Sequence, residues 1–493
     1  MRRRLTTLAL VAAFAAGCQR APALERVAVA VPYGPQDLWA HRSADEVSNS
    51  VLRSAYEPLV DLSADLRLEP ALAESWHNPD DLTWEFRLRP GVRLHDGTTL
   101  TADHVAAYFT RILADPGTQR SPGHLLTVAQ AVGPEIVQLR TQRPVGWLPS
   151  QLARLLVAVE TPGNPIPLGT GPYRVASWTP GGAVELVAVA GHRGGVPAFP
   201  RVAFVPLADP AEAVRRLRAG EVHLVSEPDG QNWHALRQDP ALRTLERPSL
   251  RVVFLGLNSL ASTPRPELRD VRVRRALRQA LDPAALLAPI DPAPGLPFRE
   301  LVPPELVGSH GHLAVEPPDP EAARALLAAA GANGLAVELD WETRRYAGIE
   351  SVAAGVIEQL AAAGVRVTPR PREPGSRLDR DRTELFLLGW LHSSGDSAAS
   401  YEYLLHSPAG QGRGGLSTYS DPEVDRLLAE IAEPIPGDAR QRLLREVAER
   451  VHEDVALIPL YRTFDRYAFD ARLDFSPRLD RRIRGQDLRP VRR

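Results

Sequence analysis

Thr83-Trp-Glu-Phe-Arg-Leu-Arg-Pro-Gly-Val-Arg-Leu-His-Asp-Gly97 is the stretch on which the fold turns. Trp84, Phe86 and Leu88 alternate with polar residues, the period of a half-buried strand. Arg89-Pro90-Gly91 then supplies turn chemistry, and Val92 and Leu94 resume the alternation, so the spacing predicts a hairpin over Leu82 to Thr98. Just beyond it, Thr101-Ala102-Asp103 opens a helix whose Val105, Phe109, Ile112 and Leu113 share one face, ended by Pro116.

Working outward, strand-like runs fall at Val27–Val31, Ile136–Leu139, Val184–Val189, Arg201–Val205 and Arg251–Leu257. After Asn258 helical stripes become frequent. They run through Val273, Ala276, Leu277 and Ala280, then Leu326 and Leu327 behind Asp319-Pro320. Further stripes run through Ile349, Val352, Val356 and Leu360, through Val424, Leu427, Leu428 and Ile431 behind Asp421-Pro422, and through Leu443, Leu444, Val447 and Val451. Val365-Arg366-Val367 and Val455–Leu460 read as strands, and the proline-rich stretches 289–304 and 369–374 as surface loops. Strands alternating with helices on both sides of Asn258 predict an α/β chain of two lobes.

The chain has 493 residues, 44% apolar and 24% charged, with a net charge of -2, which fits a globular protein with no overall pull towards nucleic acid. Its single cysteine excludes an intrachain disulfide and a multi-thiolate zinc site. All 58 basic residues are arginine, which excludes Schiff-base lysine chemistry and a Walker-type phosphate lysine. G-x-S-x-G, H-E-x-x-H and P-loop motifs are absent. Gly410-Gln-Gly412-Arg-Gly414-Gly415 fits G-x-G-x-x-G in letters only, since it does not follow a strand. His392 and His406 lack a ligand at i+4 and read as solvated or pocket-lining, and Asp80 and Asp81 as turn residues. No cofactor and no metal are expected.

At the N-terminus, Arg2-Arg3-Arg4 precedes a short apolar run, Leu5 to Gly17, of signal-peptide length. It ends at Ala15-Ala16-Gly17-Cys18, which resembles a bacterial lipobox. The reading is a lipoprotein signal peptide over 1–18 with lipid attached at Cys18. A plain secretory signal with an incidental cysteine is the alternative. Gln19 leaves inner against outer membrane open.

The quoted stretch, with Pro70-Ala-Leu-Ala-Glu-Ser-Trp76 before it and Leu100-Thr-Ala-Asp-His-Val105 after it, resembles the extracytoplasmic solute-binding proteins, family 5, of peptide- and nickel-type ABC importers. Further hallmarks follow in family order. They are Gly169-Thr-Gly-Pro-Tyr-Arg174, Leu257-Asn258 with the 268–281 helix, Tyr419-Ser-Asp-Pro-Glu-Val-Asp425 and Ile458-Pro-Leu-Tyr461. The resemblance implies a clamshell periplasmic-binding-protein fold. Lobe I would hold 25–60, 165–256 and 457–493, an inserted subdomain 61–164, and lobe II 257–456. It implies a monomer on the periplasmic side of a bacterial membrane that captures a small solute between the lobes, performs no catalysis, and delivers the solute to an ABC permease and its ATPase.

Two segments match the family's ligand-binding positions. In Thr343-Arg344-Arg345-Tyr346, Arg344 stands where dipeptide-binding relatives clamp the ligand carboxylate, with Arg345 as the other candidate and Tyr346 following. In Leu388-Gly389-Trp390-Leu391-His392-Ser393-Ser394-Gly395-Asp396, Trp390 is a cleft wall, and Ser393 replaces the Asp that pairs with a peptide's amino group. Asp396 would substitute if its loop bends inward. Tyr33 and Trp233 are weaker cleft candidates. The resemblance thus implies peptides or peptide-like anionic solutes, with a nickel chelate, an opine, an oligosaccharide or an orphan sensory or chaperone-like role as alternatives.

Overall fold

The computed structural model describes residues 24–42, 45–115, 122–228, 230–311, 313, 317–407, 416–433, 435 and 437–492. The lipobox, Pro116 and the 410–415 glycine run lie outside them. One eleven-stranded mixed sheet runs through both lobes. At one end, Tyr173–Trp178, Val184–Ala188, Arg201–Pro206, Arg26–Val31 and Leu224–Ser226 follow one another in that order. At the other end are Leu385–Leu391, Ala336–Glu342 and Arg366–Arg372.

Between them lie two long antiparallel strands, Leu457–Asp470 and Leu242–Leu257, which cross from one lobe to the other. Residues 242–248 pair with 464–470, and after a register shift between Pro248 and Val252 the pairing resumes at Arg462. Pro248 lacks the N–H that an unbroken ladder would need there. Past the shift, 251–257 also pair with 385–391, so the lobes change partners at this point. Helices flank the sheet, and four of them begin with Asp-Pro, the Asp side chain accepting a hydrogen bond from a first-turn N–H at Asp209, Asp282, Asp319 and Asp421.

Three local expectations are corrected. Thr83–Leu88 does form a strand, but its hairpin partner is the preceding Ala73–Asp80, and its other neighbour is Ile136–Thr141. Val92 and Leu94 leave the sheet and are buried as a loop. The 369–374 stretch is partly strand: Pro369 and Pro371 sit in Arg366–Arg372, the outermost strand, paired in parallel with 336–342. An edge strand tolerates proline because every second N–H faces outward and needs no partner. Within 289–304, Gly295–Pro297 adds a short strand beside 461–463. A Cβ at Gly295 would stand 1.9 Å from the Arg462 carbonyl oxygen, so only glycine permits that approach.

The C-terminal segment ties the N-terminal one. Asp480 is fully buried and holds the guanidiniums of Arg478 and Arg482 at 3.1 and 3.0 Å. Arg478 also donates to the carbonyls of Leu62 and Ser63, and Gly485 N–H to the Ser54 hydroxyl. Asp61 receives Arg53 and Arg484.

Candidate functional site

The site residues gather where the edge of lobe II meets the crossing strands. Strand 385–391 runs antiparallel to 242–257, with Trp390 opposite Val252 and Leu391 opposite Arg251. Its neighbour, Ala336–Glu342, ends in the turn that carries Thr343, Arg344, Arg345 and Tyr346, and helix Ile349–Ala362 follows. Arg344 adopts a left-handed backbone, φ 58°, and its N–H donates to the Glu350 carboxylate at 2.8 Å. That conformation leaves the Arg344 side chain exposed.

Tyr346 returns to the sheet. Its hydroxyl donates to the Gly389 carbonyl at 3.0 Å and accepts from the Gly389 N–H at 2.9 Å. A Cβ on residue 389 would lie 2.7 Å from the Tyr346 ring, which explains the glycine before Trp390. Arg345 and Arg251 place their guanidiniums 5.9 and 5.6 Å from the Tyr346 ring centroid, within cation–π reach. Tyr346, Arg345, Arg251 and Gly389 are thus brought together, with Arg344 exposed in the same turn, while Trp390, the next residue of the strand, points to the other face of the sheet. Arg251 is a cation that the sequence reading passed over. Its signal is a charge inside the apolar strand run Leu250-Arg251-Val252-Val253-Phe254.

Trp390 is half-buried and stacks on Tyr403 with centroids 4.8 Å apart. Its indole N–H donates to the Ser400 hydroxyl at 2.9 Å. Ser393 is half-buried in the loop that follows. Tyr33 lies just past strand 26–31 and is 44% exposed.

Other expectations change. Asp396 accepts two hydrogen bonds from Arg440, and it also accepts the Ala398 N–H at the start of the next helix. A carboxylate neutralised by a neighbouring guanidinium has little attraction left for a solute ammonium. His392 is neither solvated nor pocket-lining but a core residue, 1% exposed, and burial pushes it down to about 3, with Arg462 adding to the effect. Trp233 is buried beneath the Arg466 guanidinium. No cluster of three metal-ligating side chains occurs among the described residues.

A cavity of about 860 Å³ opens elsewhere, between the helices 271–279, 320–329 and 437–453. Its Arg278 and Arg275 donate to the carbonyls of His452 and Glu453 at the end of the last of these. These bonds satisfy helix-terminal carbonyls, so the arginines serve packing there.

A two-lobed sheet crossed by two long strands is the architecture of periplasmic binding proteins. HbpA2 of Haemophilus parasuis superposes with a TM-score of 0.82 at 23% identity, covering 95% of this chain and all of that one. DppA of Helicobacter pylori, solved with the peptide STSA, superposes at 0.78 and 19%, covering 95% and 98%. The glutathione-binding protein GsiB of Escherichia coli strain K12 is 26% identical over 483 residues, 93% of each chain. The sequence model of the bacterial extracellular solute-binding proteins, family 5 Middle, matches residues 67–412, and the chain belongs to that family.

Proposed function

We propose that this protein is the substrate-binding component of an ABC importer for peptides or peptide-like anionic solutes. The observation that carries this reading is the clustering of Arg345 and Arg251 on Tyr346, beside the exposed Arg344, at the lobe crossing of a family-5 chain. Guanidiniums clamp carboxylates in bidentate fashion, and Tyr346 and Trp390 supply flat apolar walls. The name of the GsiB relatives, a glutathione-binding protein, fits a small peptide bearing carboxylates. Tyr33 and Ser393 complete the proposed lining. The lobes divide as 25–60, 165–256 and 457–493 against 257–456, with 61–164 inserted in the first. No catalytic step is assigned, and the solute passes to a permease and its ATPase. Native mass spectrometry of the purified protein tests the reading. It should find one small acidic peptide-like molecule per chain, whereas a bound sugar would overturn it.

Closure of the lobes should buffer the solute from water. Small-angle scattering is expected to give a smaller radius of gyration with solute than without. An unchanged radius with a demonstrated ligand would refute the clamshell account for this member.

The chain is proposed to be anchored through a lipid on Cys18, on the periplasmic side of a bacterial membrane. Among the described residues no helix is long and apolar enough to cross a membrane. Cys18→Ser should therefore move the protein from the membrane fraction to the soluble periplasmic fraction. Unchanged membrane association would count against lipidation.

A further inference from the structure

Behind Trp390 runs a chain of hydrogen bonds with only one consistent direction. Trp390 Nε1 lies 2.9 Å from Ser400 Oγ, Ser400 Oγ 2.9 Å from His392 Nδ1, and His392 Nε2 3.0 Å from the Leu301 carbonyl oxygen. An indole N–H only donates and a carbonyl only accepts. Ser400 therefore accepts from Trp390 and gives its own proton to His392 Nδ1. His392 must then carry its single proton on Nε2 and donate it to Leu301. The ends of the chain fix the tautomer, and burial of His392 keeps the ring neutral.

Ser400 and His392 are 3% and 1% exposed, so water does not compete for these bonds. Their elements differ: His392 follows strand 385–391, Ser400 is in helix Ala398–Leu405, and Leu301 comes from the loop before the 320–329 helix. Tyr403, one helical turn from Ser400, stacks on the indole. The indole is thus held at its N–H by one residue of this helix and at its face by another.

We infer that Ser400 and His392 are positioning residues that fix the indole plane of Trp390 as a wall of the solute cleft. This rests on the solute site proposed above, and neither residue touches the solute itself. A wall set in advance loses little rotamer freedom on binding, which is where such a relay gains affinity.

The test uses the full chain with glutathione as probe. The Trp390 indole ¹⁵N–¹H resonance is assigned by its loss in Trp390→Phe. Ser400→Ala should shift that resonance, speed its hydrogen exchange and weaken glutathione binding roughly 2- to 10-fold. Ser400→Thr, which keeps the hydroxyl, should restore both, and Ser400→Ala should cost nothing further in the Trp390→Phe background. An indole resonance and exchange rate unchanged in Ser400→Ala would overturn the relay. So would a shifted resonance with unchanged affinity, if Trp390→Phe itself weakens binding. If Trp390→Phe leaves glutathione binding intact, or the wild type binds neither glutathione nor its N-acetylated form, it is the solute site that fails. The indole readout of the Ser400 pair still decides the relay.

Discussion

Asp480→Asn is expected to cost about 3–5 kcal/mol of stability, because it strips the counter-charge from two buried guanidiniums at once. Arg478 and Arg482 are 3% and 4% exposed and both converge on this carboxylate. The substitution keeps the shape and removes the charge. Urea unfolding should show the loss as a lower midpoint with an unchanged slope, and a change below about 1 kcal/mol would mean that water or other groups take over.

The same residue sets part of the acid response. Burial pushes the Asp480 carboxyl up, but Arg482 and Arg478 outweigh it and hold it below the usual range. A carboxyl depressed in the folded state contributes stability above its unfolded pKa, about 3.9, and loses it as pH falls through the folded value. Wild-type stability should therefore carry a component that declines below about pH 4 and that Asp480→Asn lacks.

The second large effect concerns the solute's charge. Arg344 offers an exposed cation, while Ser393 brings a hydroxyl where the family resemblance implies an acid, and Asp396 is held by Arg440. Burying an ammonium without a counter-charge is costly. The cleft should prefer solutes with a carboxylate and no obligatory free ammonium. A charge-assisted hydrogen bond contributes about 1.5–3 kcal/mol, so Arg344→Ala should weaken binding roughly 10- to 150-fold. Ser393→Asp should shift preference towards free-amine peptides. If Ser393→Asp leaves that preference unchanged, the hydroxyl does not stand where the amine binds.

Local signals in the sequence carried well, and long-range pairings did not. The Asp-Pro helix starts at 319 and 421 and the alternation at Trp84, Phe86 and Leu88 are readable because capping and pleat depend on near neighbours. The choice of 73–80 over 92–94 as hairpin partner depends on which strand can also leave room for 136–141, and no local pattern encodes that. Pro369 and Pro371 read as loop residues because proline excludes a central strand, but the edge position that admits them is a tertiary fact. At the site, Arg344, Tyr346 and Trp390 are candidates named through family motifs alone. The pairing of Asp396 with Arg440, 44 residues on, and the burial of His392 against Leu301 join distant segments, so composition and spacing gave no sign of either.

Isothermal titration calorimetry with matched peptide pairs, glutathione and its N-acetylated form first among them, addresses the central claim most directly. The account predicts saturable one-to-one binding, at least as tight for the N-acetylated member, and roughly 10- to 150-fold weaker in Arg344→Ala. Tighter binding of the free-amine member, or affinity indifferent to Arg344, would contradict it.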